Sequence, residues 1–272
     1  MSAGRSRVRS VGVSDTGRVR RVNEDAFLER PDIGLWVVAD GMGGHSRGDV
    51  ASSMVCDSLA ALPAQHSGLG LLHAVRAALT DVHDALVQEA RAMGGDQTMG
   101  TTVVVLLINN DHYACVWAGD SRCYVLRDGE LGRLTHDHSV VQDMIDAGTL
   151  DESQAESHPL ANVVTQALGA PVDLALSTVH GPLRRGDLLL LCSDGLTRMV
   201  PEEDVAHLLR EDGLDAAHSL VAQAVRAGGR DNITVIVVDP SGRAPDDAYT
   251  EPSPRTGDLP DDLSWSDQTV KR

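Results

Sequence analysis

The sequence predicts one α/β domain with a strongly β core and helices on its outside. Runs rich in β-branched and aliphatic residues, such as "TTVVVLLINN" and "ITVIVV", suit a sheet covered on both faces. Apolar residues recur at helical spacing from Arg47 to Leu62 and from Leu69 to Met93. No repeat and no hinge-like linker interrupts residues 7 to 239.

Taken in order, "RVRSVGV" alternates like a half-exposed strand and runs into the turn-rich "SDTG". "AFLERPDIGLWVVAD" reads as two strands joined at Pro31 to Gly34, followed by the two helices. The segment from Thr101 to Thr135 reads as a four-stranded meander, with "NND" and "RDGE" as its clearest turns. Helical pattern returns at Ser139 to Ala147, closed by Gly148, and around Leu160 to Leu168, closed by Gly169. "GDLLLLCSDG" is a buried strand, short helices follow near Glu202 to Leu209 and Asp215 to Ala227, and "ITVIVV" closes the fold. From Pro240 to Arg272 the chain holds five of the eleven prolines and few aliphatic residues, which is the composition of a disordered tail.

Charge and cysteine usage narrow the function. A formal net charge of -17 repels nucleic acid and anionic membranes and favours cationic ligands, metal ions included. Lys271 is the only lysine, and the remaining basic residues are arginines, which suit bidentate contact with carboxylate or phosphate. Cys56, Cys115, Cys123 and Cys192 form no CxxC pair and sit in apolar stretches, as reduced core residues do. No apolar run reaches the length of a membrane span, and the basic start lacks the apolar region of a signal peptide. These features place the expected protein in the cytoplasm.

Carboxylates sit where strands end. The pattern of strand, Asp and Gly occurs in "VVADG" and "LLLLCSDG", a related form occurs in "VWAGDS", and "GGRDNITVIVV" puts an aspartate just before a strand. Each alone is an ordinary turn. Together, Asp40, Asp120, Asp194 and Asp231, with Asn23, Glu24 and Asp25 beside them, form a candidate cluster whose mutual repulsion opposes folding unless a cation neutralises it. All-oxygen ligands favour Mg²⁺ or Mn²⁺ over zinc. Bare backbone at the glycines beside Asp40 lets a carbonyl or a phosphate approach closely.

The segments "SDTGRVRRVNEDAF", "VVADGMGGHSRGDVAS", "MGTTVVVLL", "AGDSRCYVLRDGEL", "VVTQALGA", "GDLLLLCSDGLT" and "GGRDNITVIVV" follow one another over residues 8 to 238. In that order they resemble the metal-dependent serine/threonine protein phosphatases of the PP2C type, in their compact bacterial form. The resemblance implies a four-layer αββα sandwich, a central antiparallel β-sandwich flanked by helices, with a binuclear metal centre at one end. It implies Mn²⁺ or Mg²⁺ at two tight sites and a third, weaker one.

Carried over by residue, Asp40 would bridge the two metals and the Gly41 carbonyl would bind one of them, while Asp194 and Asp231 would hold the other. Glu24 and Asp25 would act chiefly through metal-bound water, and Asp120 would share the third ion with Asp194. Arg20 matches the arginine that grips the substrate phosphate. The implied reaction is hydrolysis of phosphoserine or phosphothreonine by hydroxide held between the metals, without a phospho-enzyme. Met42 stands where many eukaryotic members carry a candidate general acid, and His45 reads as a helix-start or surface histidine, which leaves the general acid unassigned. The implied partners are phosphoproteins, namely a bacterial Ser/Thr kinase and its substrates, met by a monomer. The competing reading is a phosphatase-like domain that has lost catalysis and only binds.

Overall fold

The computed structural model describes residues 8–43, 47–64, 68–94, 99–155 and 157–242. Eleven strands build two antiparallel sheets among these residues. The first sheet orders β1 (Arg9–Asp15), β11 (Ile233–Asp239), β10 (Leu188–Cys192), β7 (Arg122–Arg127) and β8 (Glu130–Arg133). The second orders β2 (Asp25–Arg30), β3 (Leu35–Gly43), β5 (Val103–Asn109), β6 (His112–Ala118) and β9 (Ser177–Pro182), with β4 (Met99–Thr101) paired to the far end of β3.

Period-two alternation explains how the sheets stack. Along β3, Leu35, Val37 and Ala39 face outward, where α1 (Gly48–Ala60) and α2 (Leu69–Ala92) cover them with Val55, Leu59, Val75 and Leu79. The alternate residues Trp36 and Val38 face inward and join Val104, Leu106, Leu189, Leu191, Ile236 and Val238 in the layer between the sheets. Outward residues of the first sheet, among them Leu190, Val235 and Val237, pack beneath α5 (Glu202–Asp212) and α6 (Ala216–Arg226). The result is the αββα sandwich that the resemblance implies. All four cysteines are free and buried.

Three elements differ from the sequence reading. The expected meander is split: β5 and β6 belong to one sheet, β7 and β8 to the other, because the chain crosses between sheets at Gly119 to Ser121. Residues 160–169 are not helical, since Leu168 exchanges backbone hydrogen bonds with Thr101 and Val164 bridges Ser139. An extended neighbour thus takes the groups a helix needs. β9 and the one-turn helix α4 (Asp194–Thr197) were not read from the sequence. The helix at Ser139 holds, as α3 (Val140–Asp146), with the Ser139 hydroxyl accepting from the Gln142 amide at 3.3 Å. The expected tail begins with a short 3₁₀ turn at Pro240–Gly242, and its residues from 243 onward lie outside the described residues.

Leu191 is fully buried between the sheets. Leu191→Ala is expected to lower unfolding free energy by about 2–5 kcal/mol, measured as a reduced urea midpoint at unchanged slope.

Candidate active site

The inward-facing layer that is apolar in mid-sandwich turns polar at one end. Following the parity of Trp36 and Val38, Asp40 lies on the inner side of β3, and its register partner on β2 is Asp25. Across the gap, the first sheet offers Ser193 after Leu191 and Thr234 before Ile236. Both hydroxyls donate to Asp25 Oδ2, at 2.8 Å and 2.7 Å. The two sheets are therefore joined at this end through one carboxylate.

Each acid has its own mount. The Asp40 carbonyl accepts from the Thr102 amide at 2.9 Å and from the Thr101 hydroxyl at 2.9 Å. β3 continues past Asp40 to Gly43, so this aspartate sits within a strand that outlasts its sheet and not at the strand's end. Asp194 opens α4, and Asp231 lies just before β11. Ser193 and Thr234 tie these last two together, since the Ser193 amide donates to the Thr234 carbonyl and the Thr234 amide to the Ser193 hydroxyl, both at 3.0 Å. Asp120 lies in the crossover between the sheets and is buried.

The glycines after the aspartates answer to space. A Cβ on Gly41 would strike the Glu24 and Gly48 carbonyl oxygens, and one on Gly195 would strike the Asn232 carbonyl. Glycine lets three chain segments close on the site at Gly41 and two at Gly195.

Electrostatics follow from the crowding. Burial, reinforced by Asp194 and Asp231 and opposed by the two hydroxyl bonds, pushes Asp25 up to about 7. Burial, with Asp194 adding to it and Arg198 opposing, pushes Asp120 up to about 7. Asp40 and Asp194 are raised for the same primary reason, burial. Asp40 feels all of Asp25, Asp194, Asp120 and Asp231. The structure thus brings five of the expected acids together. Glu24 has a separate mount: its carboxylate accepts from the Gly48 amide at 3.3 Å, and its carbonyl, just before β2, accepts from the Gly41 amide of β3 and the Ser52 hydroxyl of α1.

Arginines supply counter-charge. Arg20 Nη2 donates to Asp231 Oδ2 at 2.8 Å, and Arg198 Nη2 lies 2.5 Å from Asp194 Oδ2. Arg20, Arg198, Asp120, Asp194 and Asp231 line a cleft of about 450 Å³, with Asn162 from the loop after α3 on its far wall. Sequence reading did not pick out Arg198 or Asn232. Asn232 accepts from the Glu24 amide and donates to the Thr16 and Val22 carbonyls, which fixes the loop carrying Arg20. The i,i+4 spacing of Asp194 and Arg198 on a turn was the available signal for the first. His45 lies outside the described residues.

Among the described residues, no three histidine, cysteine or acidic side chains already surround one point as a finished metal shell. The donor set nevertheless fits a divalent cation. Asp25 Oδ1 and Asp194 Oδ1 are buried without any hydrogen-bond partner, the candidate donors are all oxygens, and the clustered carboxylates lift one another's pKa.

Both Asp25 and Asp120 have folded pKa values above the ordinary 3.8. Folding therefore favours their protonated forms, a contribution that is complete below about pH 4 and lost as pH rises through about 7. With chelator present, the melting temperature is expected to be higher at about pH 5 than at about pH 8, and an Asp25→Asn, Asp120→Asn double variant flattens that difference.

Comparison with known proteins agrees with this geometry. A family model described as protein phosphatase 2C matches residues 17–226. The serine/threonine protein phosphatase PstP of Mycobacterium tuberculosis is 39% identical over 228 residues, covering 83% of this chain but only 44% of PstP, so the chain spans less than half of that relative. The serine/threonine phosphatase stp of Listeria monocytogenes is 35% identical over 237 residues, covering 83% of this chain and 93% of stp. A solved structure of the PstP catalytic domain, in complex with two manganese ions, superposes with a TM-score of 0.76 at 36% identity, over 85% of this chain and 97% of that one. Among the described residues, no helix is long and apolar enough to cross a membrane. The chain belongs to the protein phosphatase 2C family, the metal-dependent serine/threonine protein phosphatases in their bacterial form.

Proposed function

We propose that this chain hydrolyses phosphoserine and phosphothreonine in proteins, and that residues 7–239 form the catalytic unit with 240–272 as a tail outside it. The observation that carries the reading is the convergence of Asp25, Asp40, Asp120, Asp194 and Asp231 at one end of the sandwich, with unpartnered carboxylate oxygens, beside an arginine-lined cleft.

Asp40, Asp194 and Asp231 are the carboxylates that would hold two Mn²⁺ or Mg²⁺ ions, with the Gly41 carbonyl as a further ligand. Asp25 and Glu24 would act through water in the outer shell, and Asp120 would share a third, weaker ion with Asp194. When bound, the ions supply Lewis-acid neutralisation of charge at phosphorus. Arg20 meets the substrate phosphate. Its guanidinium is half exposed and uses one nitrogen on Asp231, so the fork is oriented by that carboxylate while further N–H groups stay available to phosphate oxygens. Asp231 is in turn fixed by the Asn232 amide, which donates to Oδ1 at 2.9 Å. The cleft walls from Met199 and the post-α3 loop position the peptide around the phosphorylated side chain. The partners are phosphoproteins, among them a bacterial Ser/Thr kinase and its substrates, acted on by a monomer.

The test is hydrolysis of a phosphothreonine peptide titrated with Mn²⁺ and repeated with EDTA. Chelation is expected to abolish turnover, Asp40→Ala or Asp231→Ala to lower kcat/KM by a factor on the order of 10² or more, and Arg20→Ala to act mainly by raising KM, about tenfold. Turnover that survives both aspartate changes overturns the reading.

A further inference from the structure

We propose that Arg198 is a built-in cation that competes with a divalent ion for the Asp120 and Asp194 carboxylates, and that this competition keeps the third ion weakly held. The inference rests on the family reading of those two aspartates and adds to it a residue that the reading does not contain.

Arg198 Nη2 stands 2.5 Å from Asp194 Oδ2 and 3.6 Å from Asp120 Oδ2. The local chain produces this placement. α4 makes a single turn from Asp194, the Arg198 amide donates to the Asp194 carbonyl at 3.0 Å, and the i,i+4 offset returns the guanidinium over the carboxylate that begins the turn. Asp120 is brought to the same guanidinium by the crossover between the sheets. The two carboxylates are 10% and 14% exposed, so the bridge is well shielded from water and ions.

Among the described residues no other cation pairs with these two carboxylates, and Arg122 acts on Asp194 without an ion pair. Arg122, the next arginine on the cleft wall, is committed to Asp137, donating to it at 3.0 Å through Nε and at 2.6 Å through Nη2. Among the described residues, Arg198 makes the one recorded ion pair to Asp120 and the one to Asp194. A guanidinium and a divalent ion cannot both stand between the same two oxygens. For the ion to enter, Arg198 must release Asp194 Oδ2 and swing into the cleft, and at 29% exposure on the cleft wall it has room to do so. Asp194 Oδ1 is buried and without a hydrogen-bond partner, so that oxygen would remain open to a tighter ion while Arg198 holds Oδ2.

The experiment counts Mn²⁺ bound to the full chain by calorimetry and by the electron paramagnetic resonance signal of free Mn²⁺, in the parent and in Arg198→Gln and Arg198→Lys. Removing a shielded charge-assisted hydrogen bond is expected to tighten the weakest Mn²⁺ about tenfold or more in Arg198→Gln. Arg198→Lys, which keeps the charge without the fork, falls between, and the tight ions keep their affinities in all three proteins. Saturating Mn²⁺ is expected to raise the melting temperature of Arg198→Gln by more than that of the parent. Unchanged stoichiometry and affinity in both variants overturns the proposal. Absence of any Mn²⁺ binding in parent and variants overturns the metal reading on which it rests, and the two failures are told apart by whether the parent binds its tight ions.

Discussion

Five aspartates held within Coulombic reach of one another at one end of a β-sandwich set the problem that the rest of this structure answers. Two carboxylates about 4 Å apart repel by about 4 kcal/mol at the effective dielectric of a protein surface, and burial adds a desolvation penalty to each. Raised pKa values at Asp25, Asp40, Asp120 and Asp194 express burial first and that repulsion second. Nothing local would keep such groups together. The opposing free energy comes from three buried apolar layers, one between the sheets and one beneath each pair of helices.

The acids also arrive from different layers, which couples the site to the whole fold. Asp25 and Asp40 belong to one sheet, Asp194 and Asp231 flank strands of the other, and Asp120 lies where the chain crosses over. Hydroxyl and amide side chains do the joining: Ser193 and Thr234 reach Asp25, Thr101 and Thr102 hold the Asp40 backbone, and Asn232 spans the loop of Arg20 and the start of β2. Such neutral donors fix geometry without adding to the negative charge, and they are satisfied only when both sheets are in place. The site therefore forms with the global core and not ahead of it.

How much of this was legible in the sequence depended on whether the signal was local. Asp-Gly after an apolar run located Asp40 and Asp194, and the unbroken β-branched and aliphatic run in "TTVVVLLINN" correctly gave a strand with both faces covered. The partition of strands between sheets was not legible, because β5 through β8 alternate alike whichever sheet they join, and only the turn at Gly119, with φ of 110°, marks the crossover. The false helix at residues 160–169 has the same origin: its apolar spacing is helical, but Thr101 and Ser139, distant in sequence, capture its backbone groups. Glu24 was read as part of the acid cluster from its place beside Asp25, but its contact with the Gly48 amide at the start of α1 joins positions too far apart in sequence to be read.

Arginine, and not lysine, supplies the counter-charge at this acid cluster. An ammonium placed among carboxylates and next to a cation site is a compact, strongly hydrated charge that binds as a point, whereas a guanidinium stays charged, is more weakly hydrated and can hold one oxygen while presenting further N–H groups elsewhere. Arg20 illustrates the use: one nitrogen on Asp231 sets its direction, and the remaining fork faces the cleft. Arg198 shows the converse, a fork directed at carboxylates, in a position where a cation also fits. The two aspartates respond differently to such partners. Asp231 has both oxygens engaged, by Arg20 and by the Asn232 amide, while Asp194 keeps one oxygen unbonded. Of the two, Asp194 is the one with a buried oxygen that no hydrogen bond yet satisfies, and burial without a partner favours a new ligand at that oxygen.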